Sequence, residues 1–173
     1  MGLSNALSGG IVMIVLVYVL LTALVMIDSS ISIQDASTDS AEIETSISKT
    51  DISAHSLSAL AGQNSVDFTI DNNGEEKLWN FENFNLIITF DGETSGRLTE
   101  SLSYSGFCSG VPSQGTWCIN SISNDILDPE IVNDGESMSI LSTVSEGILN
   151  GGIVIVVMST DNGVVASLSG TVS

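Results

Sequence analysis

The hydrophobic pattern divides the chain at Asp28. Ahead of it, residues 1–27 carry no charged side chain, and Ile11 to Ile27 reads IVMIVLVYVLLTALVMI, interrupted only by Thr22 and the amphipathic Tyr18. At about 1.5 Å per residue this run makes a helix roughly 25 Å long, and the uncharged 1–10 extends it to a bilayer crossing. A cleaved secretory signal competes with this assignment. Residues 1–10 lack a basic n-region, however, and the apolar run exceeds a typical h-region, so a retained, membrane-length helix is expected. Gly2 suggests myristoylation, but Ala6 stands where that motif needs Ser or Thr.

Past Asp28, Ile33, Ala36, Ile43, Ile47, Ala54 and Leu57 recur at spacings of 3, 7, 4, 7 and 3. The first half of that series is helical, which places the helix end between Ser46 and Ser53. From about Thr50 the period becomes two. Val66, Phe68 and Ile70 alternate with Asp67, Thr69 and Asp71, and Phe84, Leu86, Ile88 and Phe90 form a second row, so each strand has one core face and one wet face. Two short strands around the Gly62 to Asn64 turn are followed by expected strands at 83–90, 97–104, 116–122, 137–144, 153–159 and 164–172. Turns carry Asn72, Asn73 and Gly74, then Asp91 and Gly92, Asp134 and Gly135, and Asp161, Asn162 and Gly163. Ile153 to Met158 is apolar throughout, as in a central strand or one covered from both sides. The fold class predicted is α+β: a long N-terminal hydrophobic α-helix (1–48), followed by an Ig-like antiparallel β-sandwich (49–173).

Charge narrows the functions. The chain has 21 Asp and Glu against 3 Lys and Arg, a formal charge of -18, and every acid lies after Ile27. Such a surface repels phosphate backbones and anionic headgroups, so no nucleic acid is expected as a partner. It reads as a solvated surface suited to salty water, or, in a minority view, as carboxylates that collect Ca²⁺. Cys108 and Cys118 stand ten positions apart with no His or Cys partner at metal-ligand spacing. A disulfide closing a short loop outside the cytoplasm is expected; two reduced, buried thiols are the alternative if the domain is cytoplasmic. No Lys or Arg flanks the helix, so the positive-inside rule gives no orientation. The acidic, Ser/Thr-rich remainder suits the outside and puts the N-terminus at the cytoplasmic face.

Catalytic constellations are sparse. His55 is the single imidazole and sits near the helix-to-strand transition, as a surface or interfacial histidine does. There is no Gly-x-Ser-x-Gly elbow and no phosphate loop around Gly151 and Gly152. Glu75 with Glu76, and Asp125 with Asp128, lie beside turn signals as solvated loops. Asn133 to Glu136 resembles part of a Ca²⁺ loop without the spacing or distal Glu of an EF-hand, so a tight turn is expected. No Asn-x-Ser/Thr acceptor occurs. The expectation is a structural protein, not an enzyme, with no cofactor and no metal.

The segment GLSNALSGGIVMIVLVYVLL is similar to the N-terminus of archaellum accessory proteins of the F and G type. VDFTIDNNGEEKLWNFENFNLIITFDGE resembles their first sheet, and TWCINSISNDILDPEIVNDGESMSI with STDNGVVAS resembles a recurring ending among archaellum-related proteins. Together they resemble the archaeal branch of the type IV pilin superfamily, which includes the archaellins, over most of the chain. The resemblance implies a structural subunit of an extracellular filament, for motility or adhesion. Its helices pack with other copies or related subunits in a polymer core, and it is membrane-anchored before assembly. Ile11, Val15, Val17, Tyr18, Leu21, Leu24 and Ile27 are assigned to that polymer-core or membrane surface. The alternative is a single-pass, membrane-anchored accessory protein that acts as a stator and binds the cell-surface layer. A third possibility is a surface module that captures cations or a partner with its acidic face. Archaellin precursors carry a basic, Gly-terminated leader, and none is visible before Gly2: either the numbering starts after processing or the chain is an unprocessed membrane component.

Overall fold

A computed structural model describes the backbone of residues 2–125 and 128–173, with the side chains of 9–22, 26, 34–125 and 128–173. Helix α1 runs Gly2–Lys49, followed by β1 (Ile52–Ala59), β2 (Ser65–Asn72), a 3-10 turn at Phe81–Asn83, β3 (Asn85–Gly92) and β4 (Gly96–Phe107). Strands β5 (Thr116–Ser123), β6 (Ser137–Thr143), β7 (Ile153–Ser159) and β8 (Val165–Thr171) complete the chain. It divides into two compact units, 1–44 and 45–173, so the last turn of α1 belongs to the β unit.

The strands form where the period-two pattern places them. In β3, Leu86, Ile88 and Phe90 are buried while Asn85 and Ile87 face outward, and β2 buries Val66, Phe68 and Ile70 in the same way. These rows meet Trp117 and Ile119 of β5, Met138 and Ile140 of β6, and Val154, Val156 and Met158 of β7 in one core. The strand order is β1-β2-β6-β5-β4-β3-β7-β8. Every ladder is antiparallel except β4 with β5, which is parallel. Strand β4 makes this possible by changing partner. Its residues 96–102 pair with β3, and Ser103 to Phe107 pair with β5, where the register shifts between Tyr104 and Phe107.

The two ends of the sheet close by packing. β1 carries a register shift between His55 and Ser58, with Ser56 in the left-handed region at φ 57°. Leu57 beyond it lies over β8, where a Cβ on Gly170 would come within 2.9 Å of its Cδ2. A bulge that bends an edge strand, followed by an apolar cap on a glycine, removes two edges otherwise open to foreign strands.

The expected fold class is corrected on two points. The chain is mostly β, and its eight strands form a single, barrel-like ordered sheet with a parallel pair instead of a purely antiparallel sandwich. The expected long apolar helix is not found either. The described uncharged stretch of α1 is 9–22, about 21 Å of helix against a hydrocarbon layer of about 30 Å. No helix among the described residues is long and apolar enough to cross a membrane. The physical reason lies past Ile27, where Asp28, Asp35, Asp39, Glu42 and Glu44 make the remainder of the same helix polar.

Phe90 is fully buried, in the row that joins β3 to β4 and β7. Phe90→Ala is expected to lower unfolding free energy by about 3–5 kcal/mol through lost transfer energy and a residual cavity. Urea unfolding of the full chain followed by tryptophan fluorescence measures it; a loss under about 1 kcal/mol would show that this row is not the core.

Candidate functional site

Within the helical unit, Ile11, Val15, Val17 and Leu21 are each more than half exposed and Tyr18 is 68% exposed. Leu24 and Ile27 lie outside the described side chains. Val12, Met13, Ile14, Leu16, Val19 and Leu20 are exposed as well, so 11–21 is apolar on all sides instead of carrying one stripe. A helix of that kind is stable only when surrounded by other apolar surface. Thr22 keeps its hydroxyl satisfied by donating to the carbonyls of Tyr18 and Val19.

The helix exit is held by two asparagine turns of the β unit. Thr50, buried, donates its Oγ1 to Ser46 O at 2.9 Å. Asn162 Nδ2 donates to Thr50 Oγ1 at 2.6 Å and Ser46 Oγ at 3.1 Å. On the other side, Asn73 N donates to Asp51 O (2.8 Å) and Glu76 N to Lys49 O (3.2 Å). Asn72 locks that turn from inside the core. Its Nδ2 donates to Glu76 O and Val132 O, and its Oδ1 accepts from Gly74 N. Gly74 is required by close approach, because a Cβ there would stand 2.3 Å from Lys49 O.

Cys108 and Cys118 form a disulfide, with their Cα atoms 5.2 Å apart. It closes the loop between the parallel strands β4 and β5, and Cys108 N donates to Ile119 O beside it. By loop-closure entropy the bond contributes roughly 2–3 kcal/mol. Trp117 is fully buried in the core and lies against Tyr104 with ring centroids 4.6 Å apart; Phe81 and Phe84 continue the cluster. The loop tip presents Val111, 75% exposed.

Electrostatically, the three basic side chains are paired: Lys49 with Glu75, Lys77 with Asp128 and Arg97 with Asp91. His55 Nδ1 stands 2.9 Å from Asp71 Oδ2 on the solvent side of β1 and β2, half exposed. Asn133 to Glu136 is a tight turn: Asn133 N donates to Glu136 Oε2 at 2.8 Å and Gly135 takes φ 76°. Among the described residues, no three His, Cys, Asp or Glu side chains converge as metal ligands. Glu75 is solvated, and Asp125 is used to accept from Glu130 N.

Sequence reasoning read one feature in part, as a strand covered from both sides, and missed another. One is the outer face of β4, β3, β7 and β8, where Ile87, Val157 and Ile155 are flanked by Ser and Thr, with Asp91 and Arg97 the paired charges at one corner. The uniform apolarity of Ile153 to Met158 was its signal. The other is Glu146, whose carboxylate accepts from Thr94 Oγ1, Ser95 N and Ser95 Oγ and so fastens the β3–β4 turn. These hydrogen bonds, the one from Thr94 Oγ1 first, hold the Glu146 carboxyl below the ordinary glutamate range. Burial pushes Asp67 on β2 upward instead.

The β unit is thus an eight-stranded, Ig-like or barrel-like body, stapled by one disulfide and carrying most of its acids on turns. Comparison with known proteins gives the particular family. Residues 48–168 match the model described as conserved flagellar protein F, immunoglobulin-like domain, and the chain belongs to that family. Among solved structures, the archaellum periplasmic stator protein complex FlaF and FlaG from Sulfolobus acidocaldarius is 14% identical. It matches over 69% of this chain and 87% of that one, with TM-score 0.51. Archaeal flagellin FlaB1 from Methanocaldococcus jannaschii matches at 14% identity over 71% and 90%, TM-score 0.54. A chain of the archaeal flagellum of Methanospirillum hungatei strain JF1 matches at 14% over 96% and 93%, TM-score 0.61. At these identities the likeness is one of fold. A comparison with curated protein sequences finds no match. The resemblance seen in the sequence is thus borne out, and the relatives by family and fold are components of the archaellum.

The Glu146 contacts predict a signed pH dependence. With its pKa lowered by folding, Glu146 stabilises the fold above the unfolded-state value and loses that contribution as pH falls through the folded one. Glu146→Gln is therefore expected to lower the urea midpoint at about pH 6, with the deficit shrinking as pH falls through the folded-state value. A deficit that stays constant across the range would show that the carboxylate charge is not involved.

Proposed function

We propose that this chain is an F-type accessory component of the archaellum, a stationary part whose β unit works outside the cell. The observation that carries this is the family match, which spans nearly the whole β unit. The filament proteins, by comparison, are alike in fold only. The acidic surface supports the same reading, since a domain with so many carboxylates stays soluble and separate at high concentration outside a membrane. The Sulfolobus FlaF was solved in complex with FlaG. By analogy, a second Ig-like archaellum protein is the proposed partner, with the cell-surface layer as the support it works against. The exposed apolar side chains of 11–21 then pack against other apolar surface at the cell body.

A second reading is favoured by the similarity to the Methanospirillum filament chain, which covers 96% of this chain, helix included. There, Ile11, Val15, Val17, Tyr18 and Leu21 pack with other copies in a polymer core. The two readings place the protein differently. Cells are sheared, and the released filaments and the cell bodies are each quantified by mass spectrometry for this chain. The accessory role predicts retention with the cell bodies, with filaments still assembled when the gene is deleted but swimming lost. Dominance of this chain in sheared filaments, or loss of filaments on deletion, would overturn it in favour of the subunit role.

A further inference from the structure

Where β4 changes partner, one of its edges is left uncovered. Below Leu102 it pairs with β5 alone, because β3 begins at Asn85 and the chain before it turns away through Phe81–Asn83. Ser103 N donates toward the β5 side, to Gly115 O at 3.0 Å. Consecutive residues of a strand direct their backbone groups to opposite edges, so the N–H and C=O of Tyr104 face the uncovered one.

A groove of about 690 Å³ opens along this edge, lined by Glu82, Phe84, Asn85, Ser103, Tyr104 and Ser105 among others. Tyr104, one of its lining residues, has its ring against that of Trp117. Glu82 is the acidic residue of the lining; burial, then the charges of Glu130 and Glu82, push the pKa of the Tyr104 phenol above its ordinary value. No Lys or Arg lines the groove, and the three in the chain are engaged elsewhere. The groove therefore combines unpaired strand backbone, an aromatic surface and uncompensated negative charge.

We propose that this groove binds an extended, cationic peptide segment of another protein as an added strand on β4. The segment bonds through its backbone to Tyr104 and sets a lysine or arginine against Glu82. Backbone pairing supplies the affinity of strand addition, and side-chain pockets and charge supply the selection. A second copy of this chain is a poor occupant, because each copy carries a formal charge of -18 and like charges repel at contact. A short added strand is a weak, exchangeable contact, suited to a moving or multivalent partner. The proposal holds for either archaellum role considered above.

The test uses the full chain, isotope-labelled, in a non-ionic detergent. The probe is a capped octapeptide alternating Lys with Val and Thr, compared with an analogue carrying Glu for Lys and one N-methylated at alternate amides. The basic peptide is expected to shift the amide signals of Tyr104 and Ser105. Its affinity should fall at least tenfold in the acidic analogue, in the N-methylated analogue, and in the variants Glu82→Lys and Ser103→Trp. Glu82 is exposed, so Glu82→Lys tests the charge without disturbing the core. Equal binding of the N-methylated peptide would reduce the effect to charge attraction and overturn strand addition. Shifts confined to other strands, absence of binding to the folded chain, or the same shifts with the neutral sugar maltohexaose would overturn the assignment of a peptide here.

Discussion

Strand β4 is the constraint on which the β unit depends. Two sets of strands would each be an open sheet with exposed edges, but β4 belongs to both, antiparallel to β3 over one half and parallel to β5 over the other. Sharing one strand keeps the inner faces of β2, β6 and β5 opposite those of β3 and β7, which fixes one core. Parallel neighbours cannot be joined by a two-residue turn. The connection from Phe107 to Thr116 is accordingly a loop, and the disulfide shortens it from within. The same change of partner leaves the uncovered edge at Tyr104.

Charge is distributed around this frame, not across it. Most acids of the β unit sit on turns, such as Glu75, Glu76, Asp134 and Asp161, while the outer face of β3, β7 and β8 is Ile, Val, Ser and Thr apart from Asn85 and the Arg97-paired Asp91. A strongly acidic protein can approach another surface only where its own charge is absent or compensated. The nearly neutral outer face of β3, β7 and β8 and the apolar stretch 11–21 provide such places. Single carboxylates nonetheless have local work: Glu146 ties the β3–β4 turn, and Glu100 accepts from Ser145 N and Oγ.

The strands were legible because alternation is a direct record of burial: Val66, Phe68 and Ile70 are apolar at period two and all lie in the core. The Cys108 and Cys118 pairing was legible from spacing and context. The parallel β4–β5 pair was not, because alternation tells which face of a strand is buried but not which neighbour lies beside it. The helix was expected to be a long apolar element because residues 1–27 carry no charge, whereas its described uncharged stretch covers 9–22 and acids from Asp28 on make the rest polar. The clamp at the helix exit was hidden for another reason. Asn72, Asn162 and Gly74 read as ordinary turn residues; the bonds of Asn162 to Ser46 and Thr50, the bond of Asn72 to Val132 and the close approach of Gly74 to Lys49 O exist only after distant segments have met.

The central claim, that a strand shared between two ladders makes the β unit a single cooperative body, is tested most directly by native-state hydrogen exchange on the full chain with increasing urea. Amides of β2, β6 and β5 and those of β3 and β7 should merge into one opening transition, with β4 amides from Leu98 to Tyr104 exchanging only in that same step. Exchange of β3, β7 and β8 in a separate opening at lower urea, while β2, β5 and β6 stay protected, would show two independent sheets and contradict the account.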